Sequence, residues 1–559
     1  MTRGLSSLVA AMLCAGSAGA EQLPAPPVEP KSGISLAIAT PFHEPPASGA
    51  LPLSVTIRND SLRDGQWRLA LEATGSWGQR TYGLVEELPV PAGEERRFEL
   101  AAQLGAREAI PWVMVQVRIL GPGVGPQDIV LYHRHVAAPS RSGATGTVSA
   151  PVALSESLAL RHEATLTAEL QDSNVALFAS RFEPGQLPGD WRSYTGFARV
   201  AMTALEHRGA PAAAQAALRR WMARGGELLL LSGGGERTER IGFGRLLVRP
   251  ARDDSEARTA LLDGLEGPAS RSPFPTGSYV PGALAHDVRL PELPDGMLVF
   301  FVLGVAAVAG PVNLFWFCRG RRRQRLFWTT PVVSVAASAV LLAMILAVDG
   351  TGGSGARWTA IVLQEDAHGA VVVQEQVART GFLLGSAFEL EAGASMERLD
   401  TPAPGFQGAP QRLDRSGNRH SGGWFRSRAI QSHLVEAARP SRLRVELAGG
   451  SPGTPLIVSS IPATLDTLFW LDDDGDWWTG EGVEVGVPSR LAPSDESEFG
   501  RWLQQQSGRA GTKGLALLSQ LDPTPGDFFA ACTEARLGIE TLPTVEWRQA
   551  SVWITGRVL

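Results

Sequence analysis

The sequence predicts a multidomain α+β membrane protein with an N-terminal β-sandwich, an α/β domain, a two-helix transmembrane hairpin and a C-terminal β-rich domain. Three observations predict it. Two uncharged apolar runs, Met297–Cys318 and Leu326–Val348, bracket a short arginine-rich turn. Ahead of them, short stretches that alternate apolar and polar residues give way near residue 147 to a mixture of helical and strand periods. Behind them, alternation of period two returns. A chain of 559 residues has room for several domains, and 44% hydrophobic with 19% charged residues allows each a buried core. The net charge of −6 is spread thinly and forms no basic stripe outside the turn, which speaks against nucleic acid as a partner.

Residues 1–20 have the pattern of a secretory signal: Arg3, an apolar stretch from Leu5 to Ala15, and the small residues Ala18-Gly19-Ala20. Residues 21–31 are proline-rich and predict an extended tether. Over residues 32–138 the runs SLAIATPF, LPLSVTIRND, QWRLALEATG, ERRFELAAQL, PWVMVQVRIL and DIVLYHRHV, separated by Gly, Pro, Asn and Asp clusters, predict the strands of an antiparallel sandwich. His133 and His135 alternate onto one strand face, with no third metal ligand nearby in sequence. Pro139–Gly146 is a linker by composition.

The α/β domain is expected over residues 147–290. A helix from Ser155 to about Leu170 precedes a buried strand at Asn174–Ala179, and a helix from about Pro211 to Arg224 leads through Gly225-Gly226 into the apolar strand Glu227–Leu231. Leu218, Trp221 and Met222 share a helix face, and a strand apolar on both faces belongs inside a parallel sheet. One of the two glycines should take positive φ at the helix end. The segment Leu187, Pro188, Trp191, Tyr194, Gly196, followed by a helix ending AALRRWMARGG and the apolar strand, resembles the glutamine-amidotransferase-like, flavodoxin-like domain of certain bacterial inner-membrane proteins. In that family the domain precedes a membrane segment that often begins with Gly-Pro-x-Asn, as Gly310-Pro311-Val312-Asn313 does here. The resemblance implies a degenerate class I amidotransferase-like domain in the extracytoplasmic space.

Catalytic signatures are missing from the places where they would act. An amidotransferase needs a Cys nucleophile on a tight strand-to-helix turn, and no Cys lies between Glu21 and Phe317. The string Gly449-Gly450-Ser451-Pro452-Gly453 has a proline where a nucleophile elbow needs an oxyanion-binding N–H, and reads as a turn between strands. Ser232-Gly233-Gly234-Gly235 follows an apolar strand but lacks the Lys-Ser/Thr ending of a phosphate loop. Asp472-Asp473-Asp474-Gly475-Asp476 resembles a calcium-loop fragment with Trp470 at the first ligand position, so a β-hairpin with an Asp-Gly turn is expected instead. No catalytic set, metal set or cofactor motif is assigned. The residues placed at a ligand cleft of the α/β domain are Trp191, Tyr194, Gly233 and Gly234.

In the hairpin, residues 297–318 and 326–348 are each long enough to cross a hydrocarbon core of about 30 Å. Arg319, Arg321, Arg322, Arg323 and Arg325 in the turn 319–325 place that turn in the cytoplasm, and the large flanks outside. Pro311 frees backbone carbonyls, and Asn313 offers a bond to a neighbouring helix or marks where a membrane partner docks. No ionisable side chain interrupts either run, which speaks against an ion path. Beyond a flexible exit at Gly350–Gly355, residues 356–495 predict a β-rich domain with a mobile loop over Thr401–Gly423. Residues 496–559 predict a mixed segment, helical at Glu496–Ser507 and Gly526–Glu534 and ending in a strand. The expected role is a non-enzymatic binding or scaffolding component of a cell-envelope complex in a bacterial inner membrane. The alternatives are a small-ligand sensor using the α/β cleft and an envelope hydrolase with a carboxylate site.

Overall fold

The computed structural model describes residues 21–559 apart from 44–48, 75–79, 104–111, 126, 136–146, 149–150, 173–174, 177–178, 267–280, 287, 289–294, 318–323, 365–367, 400–409 and 452. The signal-sequence expectation therefore lies outside the described residues, as do the linker and four of the five turn arginines. The chain divides into two compact units, Met1–Gly277 and Ser278–Leu559.

The first unit begins with eight strands: β1 (Glu21–Leu23), β2 (Ile34–Thr40), β3 (Ala50–Asn59), β4 (Gly65–Thr74), β5 (Arg80–Val90), β6 (Glu94–Gln103), β7 (Trp112–Leu120) and β8 (Ile129–His135). They form two antiparallel sheets, β1-β2-β3-β6 and, within this unit, β5-β4-β7-β8. Alternation does what period two requires: Trp67, Leu69, Leu71 and Ala73 are all fully buried along β4, with polar or partly exposed residues between them. The proline-rich segment is no free tether. Glu21–Leu23 pairs with Ile38–Thr40, the Glu29 amide donates to Gly123 O at 2.8 Å, and Val28 bridges Val124. Its prolines lack donors, but the residues between them find backbone partners, so the segment closes a sheet edge.

The rest of the unit is an α/β layer. Its short strands are β9 (Thr147–Val148), β10 (Val152–Ser155), β11 (Val175–Ala176), β12 (Ala179–Phe182), β13 (Arg199–Thr203), β14 (Glu227–Ser232), β15 (Arg237–Ile241) and β16 (Gly244–Pro250). Its helices are α1 (Glu156–Asp172), α2 (Ala204–Gly209), α3 (Ala212–Ala223) and α4 (Asp254–Glu266). The main sheet runs β12-β10-β13-β14-β16-β15, parallel throughout except for β15. The strand expected over Asn174–Ala179 is present as β11, paired with β9, and the sheet strand β12 follows from Ala179 to Phe182. Gly225 has φ 121° and its amide donates to Met222 O, the helix stop expected at Gly225-Gly226. Buried Leu154, Leu158, Leu166, Leu229 and Leu261 make one core with α1 and α4 on the sheet. Beyond α4, the 3-10 turn Gly282–Ala285 belongs to the second unit, so the α/β layer ends earlier than residue 290.

The second unit carries two helices long and apolar enough to cross a membrane, Gly296–Trp316 (21 residues) and Leu326–Val348 (23 residues). The first is α5 (Asp295–Ala307), which widens into a π-helix over Val308–Phe317; the second is α6 (Leu326–Asp349). Pro311 explains the change of pitch. Its ring cannot pack against the carbonyl four residues back, and a wider turn relieves that clash. The exit is short and fixed: Gly350 N donates to Leu346 O, and Gly353 N to Thr544 O.

The remaining strands are β17 (Gly353–Gln364), β18 (Gly369–Thr380), β19 (Phe388–Glu389), β20 (Ser395–Arg398), β21 (Gln411–Asp414), β22 (Arg419–Gly422), β23 (Ile430–Pro440), β24 (Val445–Ser451), β25 (Thr454–Ser459), β26 (Leu465–Leu471), β27 (Trp477–Val483), β28 (Ser489–Arg490), β29 (Ala492–Ser494), β30 (Asp527–Cys532) and β31 (Val545–Arg557). Helices α7 (Glu496–Ser507) and α8 (Thr512–Leu518) precede β30. A nine-stranded sheet, β20-β23-β18-β17-β31-β30-β26-β27-β29, dominates, beside the three-stranded sheet β24-β25-β28. Two sequence expectations change here. Gly526–Glu534 is not helical, since Asp527–Cys532 pairs with both β26 and β31. Because β30 and β31 sit mid-sheet, residues 496–559 complete the domain begun at 353 and do not form a separate segment. The expected mobile loop likewise contains the hairpin β21–β22.

Candidate functional site

The α/β sheet reverses its order at β10, which lies between β12 and β13, and ligands of open parallel sheets bind outside the carboxyl ends of the strands at such a point. A hydroxyl and carboxylate cluster stands there. Thr203 ends β13 and caps α2: its Oγ accepts from the Glu206 amide at 3.2 Å, and Glu206 reaches back to the Thr203 amide at 2.8 Å. This Thr-x-x-Glu capping box is legible in sequence. The same carboxylate also accepts from Ser155 Oγ at 2.9 Å and Ser157 Oγ at 2.7 Å, ties that sequence does not announce. Glu206 thus clamps the first turns of α1 and α2 together and is saturated by donors from its own fold.

The four residues expected at a ligand cleft fall in two places. Trp191 and Tyr194 lie in a 3-10 turn ahead of β13, capped by Asp190. Both are buried, Tyr194 completely, and its hydroxyl donates to Pro188 O at 2.8 Å. Burial, and then the charges of Glu99 and Asp190, hold the Tyr194 pKa well above the usual value, so the hydroxyl stays protonated. Around them pack Phe42 and Trp221, with ring centroids 6.0 and 6.1 Å from Tyr194, and the Ala50 amide donates to Thr195 Oγ at 3.0 Å. Gly49 has φ +77°, and a Cβ there would stand 2.4 Å from the Gly196 amide nitrogen, so only glycine permits this approach of the β3 entry to the turn. Trp191 and Tyr194 are anchors of that contact. Gly233 and Gly234 instead follow the carboxyl end of β14, in an exposed turn where the Gly234 amide donates to Ser232 Oγ. Since β13 and β14 are parallel, the two pairs stand at opposite ends of the sheet, and one cleft cannot hold both. The chain then turns into β15, a strand, so Ser232 opens no strand-to-helix elbow.

At the amino ends of the strands, Glu227 accepts from Arg199 on one side and from Arg245, at 2.8 Å, on the other. Register places Arg199, Glu227 and Arg245 in one row across three strands. Arg199 and Glu227 are about 4% exposed, and burial lowers the Arg199 pKa despite the carboxylate beside it. On α1, His162 is buried with Asp254 of α4 at 4.0 Å, and burial lowers its pKa against the pull of that carboxylate.

Within the hairpin, Asn313 is 1% exposed and donates to Thr330 Oγ of α6 at 3.2 Å. The polar side chain therefore serves packing between the two helices of this chain. Arg325 stands at the N-cap of α6, and Arg319, Arg321, Arg322 and Arg323 lie outside the described residues.

In the nine-stranded sheet, polar side chains on β17 and β18 grip the segment that follows β30. Arg357 donates to Ile539 O and Gln549 Oε1, and Gln374 both donates to Ile539 O and accepts from its amide, at 2.8 Å each way. Glu375, fully buried, accepts from the Gly514 amide at 2.8 Å in α8. The aspartate-rich loop is a hairpin turn, as expected: Asp472 accepts from the amides of Asp474 and Asp476 and from Trp478 Nε1, leaving its carboxylate engaged. Among the described residues no group of three or more His, Cys, Asp or Glu is arranged to hold a metal. Cys532 is buried in β30, and burial pushes its thiol up to about 11. His420 of β22 stacks on Phe388 at 5.1 Å and meets Trp424 edge-on at 5.3 Å; it is 2% exposed, and burial lowers its pKa to about 4.

No family model matches the chain, and no curated protein matches it. Among solved structures, it is similar over part of its length to red sea bream transglutaminase, at 17% identity over 19% of this chain and 17% of that one, with a TM-score of 0.15. A Bacteroides uniformis beta-glucuronidase matches at 12% identity over 35% of this chain and 22% of that one, with a TM-score of 0.13. The yeast delta-COP-I mu-homology domain matches at 10% identity over 37% of this chain and 96% of that one, with a TM-score of 0.18. The chain thus spans about a fifth of the first two, and likenesses this slight carry no argument about fold or role.

Proposed function

We propose that the chain is a non-enzymatic binding or scaffolding component of a bacterial inner-membrane envelope complex, with the large regions before and after the helical hairpin outside the cytoplasm. The observation that carries the reading is the pair of candidate spans joined by a short arginine turn, with a long stretch of chain on each outer side. Short loops rich in arginine stay in the cytoplasm, which sends the regions flanking the hairpin to the other side. The N-terminal sheets are read as a sandwich. The α/β layer is read as a degenerate, flavodoxin-like amidotransferase domain: its parallel order β12-β10-β13-β14-β16 is the 2-1-3-4-5 order of that fold. Its sequence supplies no Cys nucleophile, and the carboxylate at its switch point is engaged by four donors from Ser155, Ser157 and Thr203 of its own fold. A sensor built on Trp191, Tyr194 and Gly233 is disfavoured by their separation to opposite sheet ends.

Two measurements test this. Alkaline phosphatase fused after Asp349 is active and after Arg323 inactive; the reverse pattern overturns the topology. In mild detergent the chain migrates as part of a larger assembly with a second protein; migration at its own 59.4 kDa under every extraction condition overturns the scaffold role.

A further inference from the structure

The loop Gly381-Phe382-Leu383-Leu384-Gly385 is held against the point where α6 ends. Phe382 N donates to Gly350 O at 3.0 Å, Gly381 N donates to Gly352 O at 2.7 Å, and Thr351 bridges Phe382. Gly350 directly follows α6, so the backbone of Phe382 is one hydrogen bond from the end of the second candidate span. A second loop braces the first: the Arg428 amide donates to Gly381 O at 2.9 Å, and the Leu383 amide donates to Ser427 Oγ at 3.0 Å. From this braced base Leu384 projects with 87% of its surface exposed, Phe382 and Leu383 are half-buried beside it, and Ile430 is 40% exposed on the strand that follows the second loop. Arg428 is exposed beside them, and Arg426 is half-buried.

A single exposed leucine on a soluble surface needs no explanation. This one differs in its place and its company. Two residues of extended chain reach about 7 Å, the depth to which apolar side chains of interfacial segments enter the boundary between headgroups and acyl chains. Arginine at the rim of such a tip sits level with lipid phosphates, its stem over apolar surface and its guanidinium in the polar layer. We infer that Phe382–Leu384 and Ile430 form a finger that enters the lipid interface on the exit side of α6, with Arg428 at the headgroups. The occupant of this surface is the bilayer itself, continuous with the lipid around α6. The second unit is thereby seated on the membrane at two points, the helix exit and the finger, and cannot swing about Gly350 alone.

The inference rests on the membrane reading, and the experiment separates the two. The full chain, with Cys14→Ala, Cys318→Ser and Cys532→Ala, is labelled with an environment-sensitive fluorophore at Leu384→Cys, at Val340→Cys on the exposed side of α6, or at Asp473→Cys. Asp473 lies in the exposed β26–β27 turn at the opposite end of the sheet strands. Each is reconstituted into phosphatidylethanolamine–phosphatidylglycerol vesicles with nitroxide carried on lipid, or with iodide in the buffer. The expected result is loss of fluorescence at 340 and 384 by lipid nitroxide, with shielding from iodide, and the opposite at 473. A label at 384 that behaves like 473 while 340 is quenched by lipid overturns the finger and leaves the spans intact. A label at 340 that lipid nitroxide does not reach overturns the membrane reading, and the finger with it.

Discussion

Acid should weaken the second unit through His420, by an amount the structure allows to be worked out. The ring is 2% exposed, stacked on Phe388 and edge-on to Trp424. Pairing puts Leu413 of β21 and Phe388 of β19 opposite His420, and alternation sends Arg412, Asp414, Arg419 and Glu389 to the other face. His433, whose ring nitrogen meets Trp424 O at 2.8 Å, is the nearby titratable group that shares the aromatic cluster. Burial, with no carboxylate among the described residues paired on this face, takes the folded pKa down to about 4, from about 6.5 in an unfolded chain. A basic group with a lowered folded pKa binds its proton more readily when unfolded, so stability rises with pH through the window between those values and is lost as pH falls through it. Between pH 7 and pH 5 the loss from this residue is about 2 kcal/mol. His420→Phe keeps a ring in the stack and removes the proton site. Urea unfolding of the detergent-solubilised chain at both pH values, followed by tryptophan fluorescence to which buried Trp424 contributes, measures the difference. The wild type should lose about 2 kcal/mol more than the variant on going to pH 5. Parallel losses would refute the assignment of a neutral, desolvated His420.

Two further outcomes follow from buried polar contacts. Glu227→Gln leaves Arg199 buried without its counter-charge and should destabilise the first unit by about 3–5 kcal/mol, whereas Arg199→Met with Glu227→Met should cost far less; additive losses in thermal unfolding would show the row acts otherwise. Asn313→Leu should weaken association of α5 and α6 by about 1 kcal/mol and have no further effect once Thr330→Val is present. Steric-trap unfolding of the hairpin reads that cycle, and equal effects in both backgrounds would break the link to Thr330.

The parts legible in sequence are those whose signal is local. The two candidate spans are continuous apolar runs, and β4 and β7 alternate cleanly because one face of each is buried. The strand β5 gives no clear signal in sequence because Gly83, Pro89 and the adjacent Glu86 and Glu87 break its pattern, yet it pairs with β4 along nearly its whole length. DFFAAC reads equally as helix in isolation, because a short apolar run has no period of its own, and partners on both sides make it a strand. The candidate sites were the least legible. Glu206 was readable as a cap of α2, but its bonds to Ser155 and Ser157 depend on β10 and β13 lying side by side. His420 takes its surroundings from residues 388, 424 and 433, which no spacing rule joins. Trp191 and Tyr194 carry the chemistry of a binding cleft and the burial of an anchor, and burial is a property of the whole fold.

The bond from Asn313 to Thr330 also moves the place where a partner would be recognised. If the hairpin lies in lipid as proposed, a buried amide there has to find a partner, and the second helix of the same chain supplies it, next to the widened turn that Pro311 imposes. The exposed surface of the hairpin is almost wholly apolar, with Trp316, Phe327 and Trp328 at the turn end all about 80% exposed. Such a surface holds a protein in the bilayer without choosing among neighbours, because lipid tails are as apolar as the helix. On the scaffold reading proposed above, selectivity for a partner then comes from the regions flanking the spans, where polar edges and loops can discriminate. Asn313→Leu should accordingly loosen the hairpin while leaving the mass of the native assembly unchanged. Loss of the assembly with an intact hairpin would return partner recognition to the membrane.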